Sequence, residues 1–299
     1  MWFRNLQIFR LPQNLDIDIE TLDAALSAAA LHPCGPLEAE CLGWVAPSAS
    51  GALVHSVNHQ WLIALGVEQR LLPTSIVRQI ADDRAKAIEE AEGRRVGRKE
   101  LRDLREALTT ELLPRAFVRR RTTFGWIDPL NGWLVIDAGA QAKAEEFLEH
   151  LRKSVDSFPA TLLKTTLSPS SAMTSWIAGN DAPAGFTIDQ DIELRSAENA
   201  LIRYTRHSLE GKEIREHIAE GKVVTRLGLT WNDRISFVLD EKLQIKRLSF
   251  LDILKEETDG QAENEDERFD LDFALMTGEL AHLMADLIGV LGGEPEKGA

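Results

Sequence analysis

Cysteine is nearly absent: Cys34 and Cys41 are the only two in 299 residues, seven apart. No histidines flank them at zinc-site spacing, so neither a structural zinc nor a disulfide framework is expected, and both are read as reduced core thiols. Proline and glycine are few, 11 and 20, against a hydrophobic share of 44%. That composition excludes extended disorder, and only the segment around Glu256 to Glu267 reads as loose. Long apolar runs are missing too. The opening MWFRNLQIFRLPQNLD carries an arginine inside each short apolar run. No stretch reaches the roughly 18 to 20 apolar residues of a bilayer span, so a cytosolic protein with no membrane partner is expected.

Absent motifs narrow the chemistry further. There is no GxxxxGKS/T loop, GxGxxG, GxSxG or HExxH, which removes the common nucleotide-binding, hydrolase and metalloprotease readings. His55 and His59 are four apart on a predicted strand, too far apart to share a metal easily, and no metal or other cofactor is expected. The best catalytic candidate is Asp191 with Glu210 and Lys212, an acid-plus-lysine set of the kind that holds Mg²⁺ and orients water in metal-dependent nucleases. These carboxylates are read in a loop and at a helix start, where a dipole-compensating glutamate is the ordinary explanation. Nuclease chemistry is therefore the weaker reading.

What the chain does have is charge, unevenly spread. The formal net charge is −14, yet residues 84–121 hold twelve Lys and Arg against seven Asp and Glu, and residues 201–250 hold ten against seven. Residues 251–299 hold three cations against fourteen anions. Two basic blocks in an acidic molecule create local positive fields while the rest of the surface keeps it soluble. The first block ends in LLPRAFVRRRTTFGWID, with Arg115, Arg119, Arg120 and Arg121; the second contains Arg203, Arg206, Lys212, Arg215, Lys222 and Arg226, with Lys246 and Arg247 beyond. No recognition helix, zinc finger or RNP pattern accompanies them, so any nucleic-acid contact is expected at phosphates, without sequence preference.

Patterning predicts a strand within 2–11, a helix from the N-cap Asp18 to Leu31, and short strands through GWVAP and GALVHSVNHQWLIALGVEQRLLP. Residues 74–113 read as two helices divided by Gly93 and Gly97, with Ile76, Ile80, Ala87, Ile88, Ala91, Leu101, Leu104 and Leu108 on the periodic face. A hairpin follows, turning at Asn131-Gly132 and placing Arg119 and Arg121 on one strand face and Arg120 on the other. Trp126 and Trp133 beside that turn are read as packing residues. Helices are predicted at 142–155 and 173–178, a strand ends at Thr205 before an exposed turn with Arg206 and His207, and a helix is capped near Ser208. Three strands and an apolar helix, Phe269 to Leu291, complete the chain.

Across nearly its whole length the sequence resembles the bacterial family of recombination-associated protein RdgC. The likeness runs through MWFRNLQIFRL, HPCG, GWV, LLPRAF, WID with NGW, LRKS, AEGKVVTRLGLTW, IKRLSF, RFDLDFALMTGEL and LGGE. It implies an α+β fold of mixed antiparallel sheets with a helical base or arm and a protruding tip, assembled as a ring-shaped homodimer. The implied hole is positively lined and wide enough for duplex DNA, bound without sequence preference on the nucleoid. No enzyme activity is implied; the family restrains RecA-dependent recombination by occupying its DNA. On this likeness residues 1–73, 114–160 and 222–299 form the central region, 74–113 the helical base and 161–221 the tip. Phe117, within PRAF, falls at a subunit contact, and Arg206 and His207 at the tip near DNA, where well-known relatives carry lysine then glutamine. With Arg119, Arg120, Arg121, Arg203 and Arg215 these are the expected DNA contacts. A Mg²⁺-dependent nuclease, or a protein-binding adaptor acting directly on RecA, are the alternatives.

Overall fold

A computed structural model describes residues 1–13, 15–156, 158–252, 254 and 262–295. Two antiparallel sheets carry the fold. In the first, β1 (Gln7–Arg10), β2 (Glu40–Val45), β3 (His55–Val57), β4 (Gln60–Leu71), β5 (Phe117–Asp128), β6 (Trp133–Ile136) and β7 (Thr161–Leu162) lie in the order β2-β4-β5-β6-β1-β7, with β3 also paired to β4. The long β4–β5 ladder runs from Trp61 opposite Ile127 to Leu71 opposite Phe117. Its Trp61–Ile127 end is buried and its Phe117 end is exposed.

One face of this sheet packs on α1 (Ile19–Ala28) and α4 (Gln141–Ser154), through Leu22, Leu26, Trp44, Phe147, Leu148 and Leu151. Asp18 caps α1 as expected, accepting the Thr21 N–H at 2.7 Å. The helix runs directly onto β2 because Gly43 lacks a side chain: a Cβ there would stand 2.4 Å from the Leu31 backbone. Trp44 bridges Ala29 and Leu31 across this contact, accepting the Leu31 N–H at 2.8 Å and donating its own N–H to Ala29 O at 3.0 Å.

Between β4 and β5 the chain leaves the sheet as a helical hairpin, α2 (Thr74–Glu92) and α3 (Arg98–Leu112). Gly93 ends α2 in the left-handed region, φ 64°. The buried face of α2 is Val77, Ala81 and Ala85, meeting Leu108 of α3. This is one position away from the expected stripe, and Ile76 is left 44% exposed. Small alanines let the helices approach closely, which periodicity alone does not weigh.

The second sheet contains β8 (Phe186–Arg195), β9 (Leu201–Tyr204), β10 (Val223–Trp231), β11 (Ile235–Asp240) and β12 (Ile245–Phe250), in the order β12-β11-β10-β8-β9. It joins the first sheet where Leu6 and Ile245 exchange bonds of 2.8 and 3.1 Å. Its apolar face, with Ile192, Leu194, Leu227, Leu229 and Phe237, packs with α5 (Pro169–Gly179) and α7 (Glu265–Val290) into the larger core. α6 (Lys212–Ala219) adds Ile214 to that core.

Several expectations are corrected. Cys34 and Cys41 are not reduced thiols but a disulfide, their Cα atoms 5.6 Å apart, because the turn at Gly35 and Glu38 folds the segment back on itself. Asp191, read in a loop, lies in β8; there Ile188, Ile192 and Leu194 face the core while Asp189, Asp191 and Glu193 lie on the opposite, polar face, as in an interior strand of a one-sided sheet. α6 is capped by Gly211 and not near Ser208. α7, capped by Asn264, begins at Glu265, ahead of the expected start, and is long and apolar enough to cross a bilayer by composition. It is seated instead against the sheets, with Phe273, Met276, Leu280, Leu283 and Met284 buried. Half of the stretch read as loose, 256–261, lies outside the described residues, but Glu265–Glu267 form the first turn of α7.

Candidate nucleic-acid interface

The arginines of β5 are exposed but answered. Register places Arg119, Arg120 and Arg121 opposite Gln69, Glu68 and Val67. Arg119 donates to Gln69 Oε1 at 2.7 Å, Arg120 Nε to the buried Glu68 at 2.9 Å, and Arg121 lies 3.6 Å from Glu40 on β2. Glu68 also accepts the Cys34 N–H at 3.2 Å. That bond, with the Arg120 guanidinium, holds its carboxyl below the ordinary glutamate range. Phe117, the first residue of the strand, is 85% exposed, opposite the exposed Leu71 and beside the exposed Val118.

A different set of cations gathers on the polar face of the second sheet and the turn that leaves it. Arg203 on β9 and Arg226 on β10 both reach Glu193 of β8, which is only 5% exposed and also accepts the Thr225 hydroxyl at 3.0 Å. Burial raises the Glu193 carboxyl, but the Arg203 and Thr225 hydrogen bonds and the Arg226 charge outweigh it and hold the group below its ordinary value. Asp191, two residues earlier on the same strand, accepts the Arg206 N–H at 3.1 Å and meets Arg247 of β12 at 3.1 Å. Both arginines have left-handed backbone, φ 53°, a conformation costly for a long side chain unless its surroundings fix it. Here one carboxylate fixes both.

The Arg206 guanidinium, exposed in the turn after β9, meets no carboxylate among the described residues. His207 follows, its ring 5.2 Å from Tyr204, its Nδ1 2.8 Å from Ser208 O and its Nε2 3.9 Å from Glu213. Arg215 on α6 donates to the Glu210 carbonyl at 3.2 Å. Arg203, Arg206, His207 and Arg215 therefore occupy one strand, turn and helix, whereas Arg119, Arg120, Arg121 and Phe117 belong to β5 of the other sheet, toward the Phe117 end of its ladder with β4.

Asp191 lies in a strand and is committed to two arginines, which corrects its placement in a loop. Glu210 stands in the turn before α6 and Lys212 opens that helix. Among the described residues, no three His, Cys, Asp or Glu are grouped to hold a metal. Trp126 and Trp133 are packing residues: Trp126 is fully buried with its Nε1–H on Gln60 at 2.7 Å, and Trp133 lies under the Arg10 guanidinium at 4.0 Å. Asp191, Arg226 and Arg247 are named in the sequence reading, Asp191 as a catalytic candidate and the arginines in the second basic block, but their grouping with Glu193 on one sheet face is not. The only signal for them was the alternation of acids along residues 189–193, legible once that segment is a strand.

These features define an α+β protein of two antiparallel sheets, one presenting an open, cation-bearing face with an arginine turn beside it. A family model described as "Putative exonuclease, RdgC" matches residues 1–294. The chain is 54% identical to "Recombination-associated protein RdgC" of Dechloromonas aromatica (strain RCB), covering 98% of each. It is 50% identical to the protein of that name from Janthinobacterium sp. (strain Marseille), over 99% of this chain and 100% of the relative. The corresponding protein of Herminiimonas arsenicoxydans is 51% identical, with the same coverage. The chain belongs to the RdgC family of recombination-associated proteins.

Proposed function

We propose that this protein binds double-stranded DNA without sequence preference, closes around it as a ring-shaped homodimer, and so restrains RecA-dependent recombination on the nucleoid in the cytoplasm. The observation that carries the reading is the turn after β9: Arg206 is exposed, held by its own backbone bond to Asp191, and its guanidinium meets no carboxylate among the described residues. Lys212 and Arg215 stand exposed a few residues on. Guanidiniums presented on a backbone that cannot swing freely suit phosphate contact, and nothing near them has the geometry to read base edges. Phe117 supports the dimer, because a phenyl ring 85% exposed next to Leu71 and Val118 is an apolar patch that association would cover.

The test is a gel shift with unrelated duplexes at low salt. Arg206→Glu should weaken binding about tenfold to every sequence alike; a loss confined to one sequence would contradict the reading. Incubation of supercoiled plasmid with Mg²⁺ decides the enzyme question, since nicking abolished by Glu210→Gln would establish a nuclease. A variant that no longer shifts DNA yet still blocks RecA fully would show an adaptor acting on RecA itself.

A further inference from the structure

The polar face of the second sheet carries two adjoining cavities of about 300 Å³ each. Glu193 and Arg226 line both. The six cations around them are Arg195, Arg203, Arg226, Lys242, Lys246 and Arg247, against Asp191, Glu193, Asp240 and Glu241. The strands here are irregular: the β8–β10 register shifts between Val224 and Arg226 and again between Leu227 and Leu229, and the β11–β12 register shifts between Ser236 and Val238. Bulges re-aim side chains and mark sites on sheets, and the left-handed Arg247 belongs to the same irregular region. A sheet selected only for stability has no need of three such interruptions on its solvent face.

From this geometry we infer that the face is a track for the phosphodiester backbone of a nucleic-acid strand, and that Glu193 is a positioning residue that aims the Arg203 and Arg226 guanidiniums at consecutive phosphates. The inference rests on the DNA-binding reading and deepens it, since it moves contacts from the turn onto the sheet. Glu193 is buried, hydrogen-bonded by Thr225 and Arg203 and ion-paired to Arg226 at 3.5 Å, so it is a fixed anchor, not a competing surface anion. The side chains it holds are 60% and 43% exposed, and Arg247, held by Asp191, is 67% exposed. Each guanidinium has five N–H donors; the ion pairs use part of that fork and leave the remainder toward solvent. The carboxylates also offset the mutual repulsion of clustered arginines, so the cations can stay close enough to follow one strand.

The test exploits a sign. Glu193→Gln removes a negative charge, so charge counting alone requires tighter DNA binding; loss of positioning requires weaker binding. Dissociation constants for a duplex, measured by fluorescence anisotropy over a salt series, should rise about tenfold in Glu193→Gln, and the salt slope should fall in magnitude by about 1 to 2. In an Arg203→Gln, Arg226→Gln background the Glu193→Gln effect should largely disappear, because the three act as a unit. Unchanged or tighter binding by a folded Glu193→Gln protein overturns the inference while leaving the DNA reading standing. If Glu193→Gln does not fold, Arg226→Gln alone carries the test, with several-fold weakening and a slope lower by about 1 expected, and undiminished affinity overturning it. Failure of the unaltered protein to bind duplex at low salt overturns the DNA reading and the strand as occupant together. Saturable binding of inorganic tripolyphosphate in that case would reassign the face to a small polyanion.

Discussion

Glu68 shows how one residue joins distant parts of this chain: its carboxylate accepts from the Cys34 backbone and from Arg120, while Arg70 beside it donates to the carbonyls of Cys34, Leu113 and Pro114. The folded-state pKa of Glu68 is lowered, so its stabilisation is fully present above the unfolded glutamate range and is lost as pH falls through the folded value. Glu193 behaves alike. Asp137 acts in the opposite sense: burial raises its pKa against the bonds from Asn5 and Arg4, so folding favours its protonated form. Urea midpoints measured from neutral pH down to about pH 3 should therefore fall, and Glu68→Gln should fall less steeply over the same range. Parallel curves for the two proteins would remove Glu68 from the acid response.

At this scale much was legible in the sequence. The Asp18 cap, the burial of the two tryptophans and the exposure of Arg206 follow from local rules. The disulfide did not, because seven residues of separation say nothing about whether a turn brings two sulfurs together. Nor did the pairing of Arg120 with Glu68, which depends on the register of strands separated by the whole α2–α3 hairpin.

At the scale of elements, the α1–β2 junction depends on a missing side chain. Gly43→Ala would press a methyl into the Leu31 backbone, and overpacking against main chain should cost about 2 to 3 kcal/mol, read from urea unfolding. Gly278→Ala is the matched control: in the interior of α7 with open space around it, it should be neutral or slightly stabilising. Equal effects at both positions would mean that close packing at β2 is not what Gly43 provides. Most elements were visible from periodicity, including both helices of the hairpin and the three strands after α6. β8 was missed because the segment is rich in acids and poor in aromatics, and its inward residues become meaningful only when β10 lies beside it. The shift of the α2 stripe by one position has a similar origin, since the choice between Ile76 and Val77 as the buried residue is made by where α3 packs.

For the whole molecule, the decisive property is the separation of its charges and its exposed apolar edge. The cationic sheet face and turn lie on the second sheet, Phe117 projects from the free end of the β4–β5 ladder, and the acid-rich first turn of α7 lies elsewhere. In the proposed assembly a second copy covers Phe117 and duplicates the cationic surface around the DNA. Phe117→Ser should then lower the mass seen by light scattering from twice 33.3 kDa toward 33.3 kDa. The dimer dissociation constant should weaken by at least about tenfold, the usual consequence of removing a central aromatic anchor. An unchanged mass at micromolar concentration would take Phe117 out of the interface.

The sequence by itself determined the family, the α+β composition, most helices and strands, and the presence of two basic blocks in an acidic chain, because each is written in local pattern or in ordered motifs along the backbone. The tertiary structure alone decided which arginines are spent on carboxylates and which remain turned outward. It did so by setting strand register and bulges: what the neighbouring strand places opposite a guanidinium decides whether a carboxylate holds it, as Glu68 holds Arg120 and Glu193 holds Arg203.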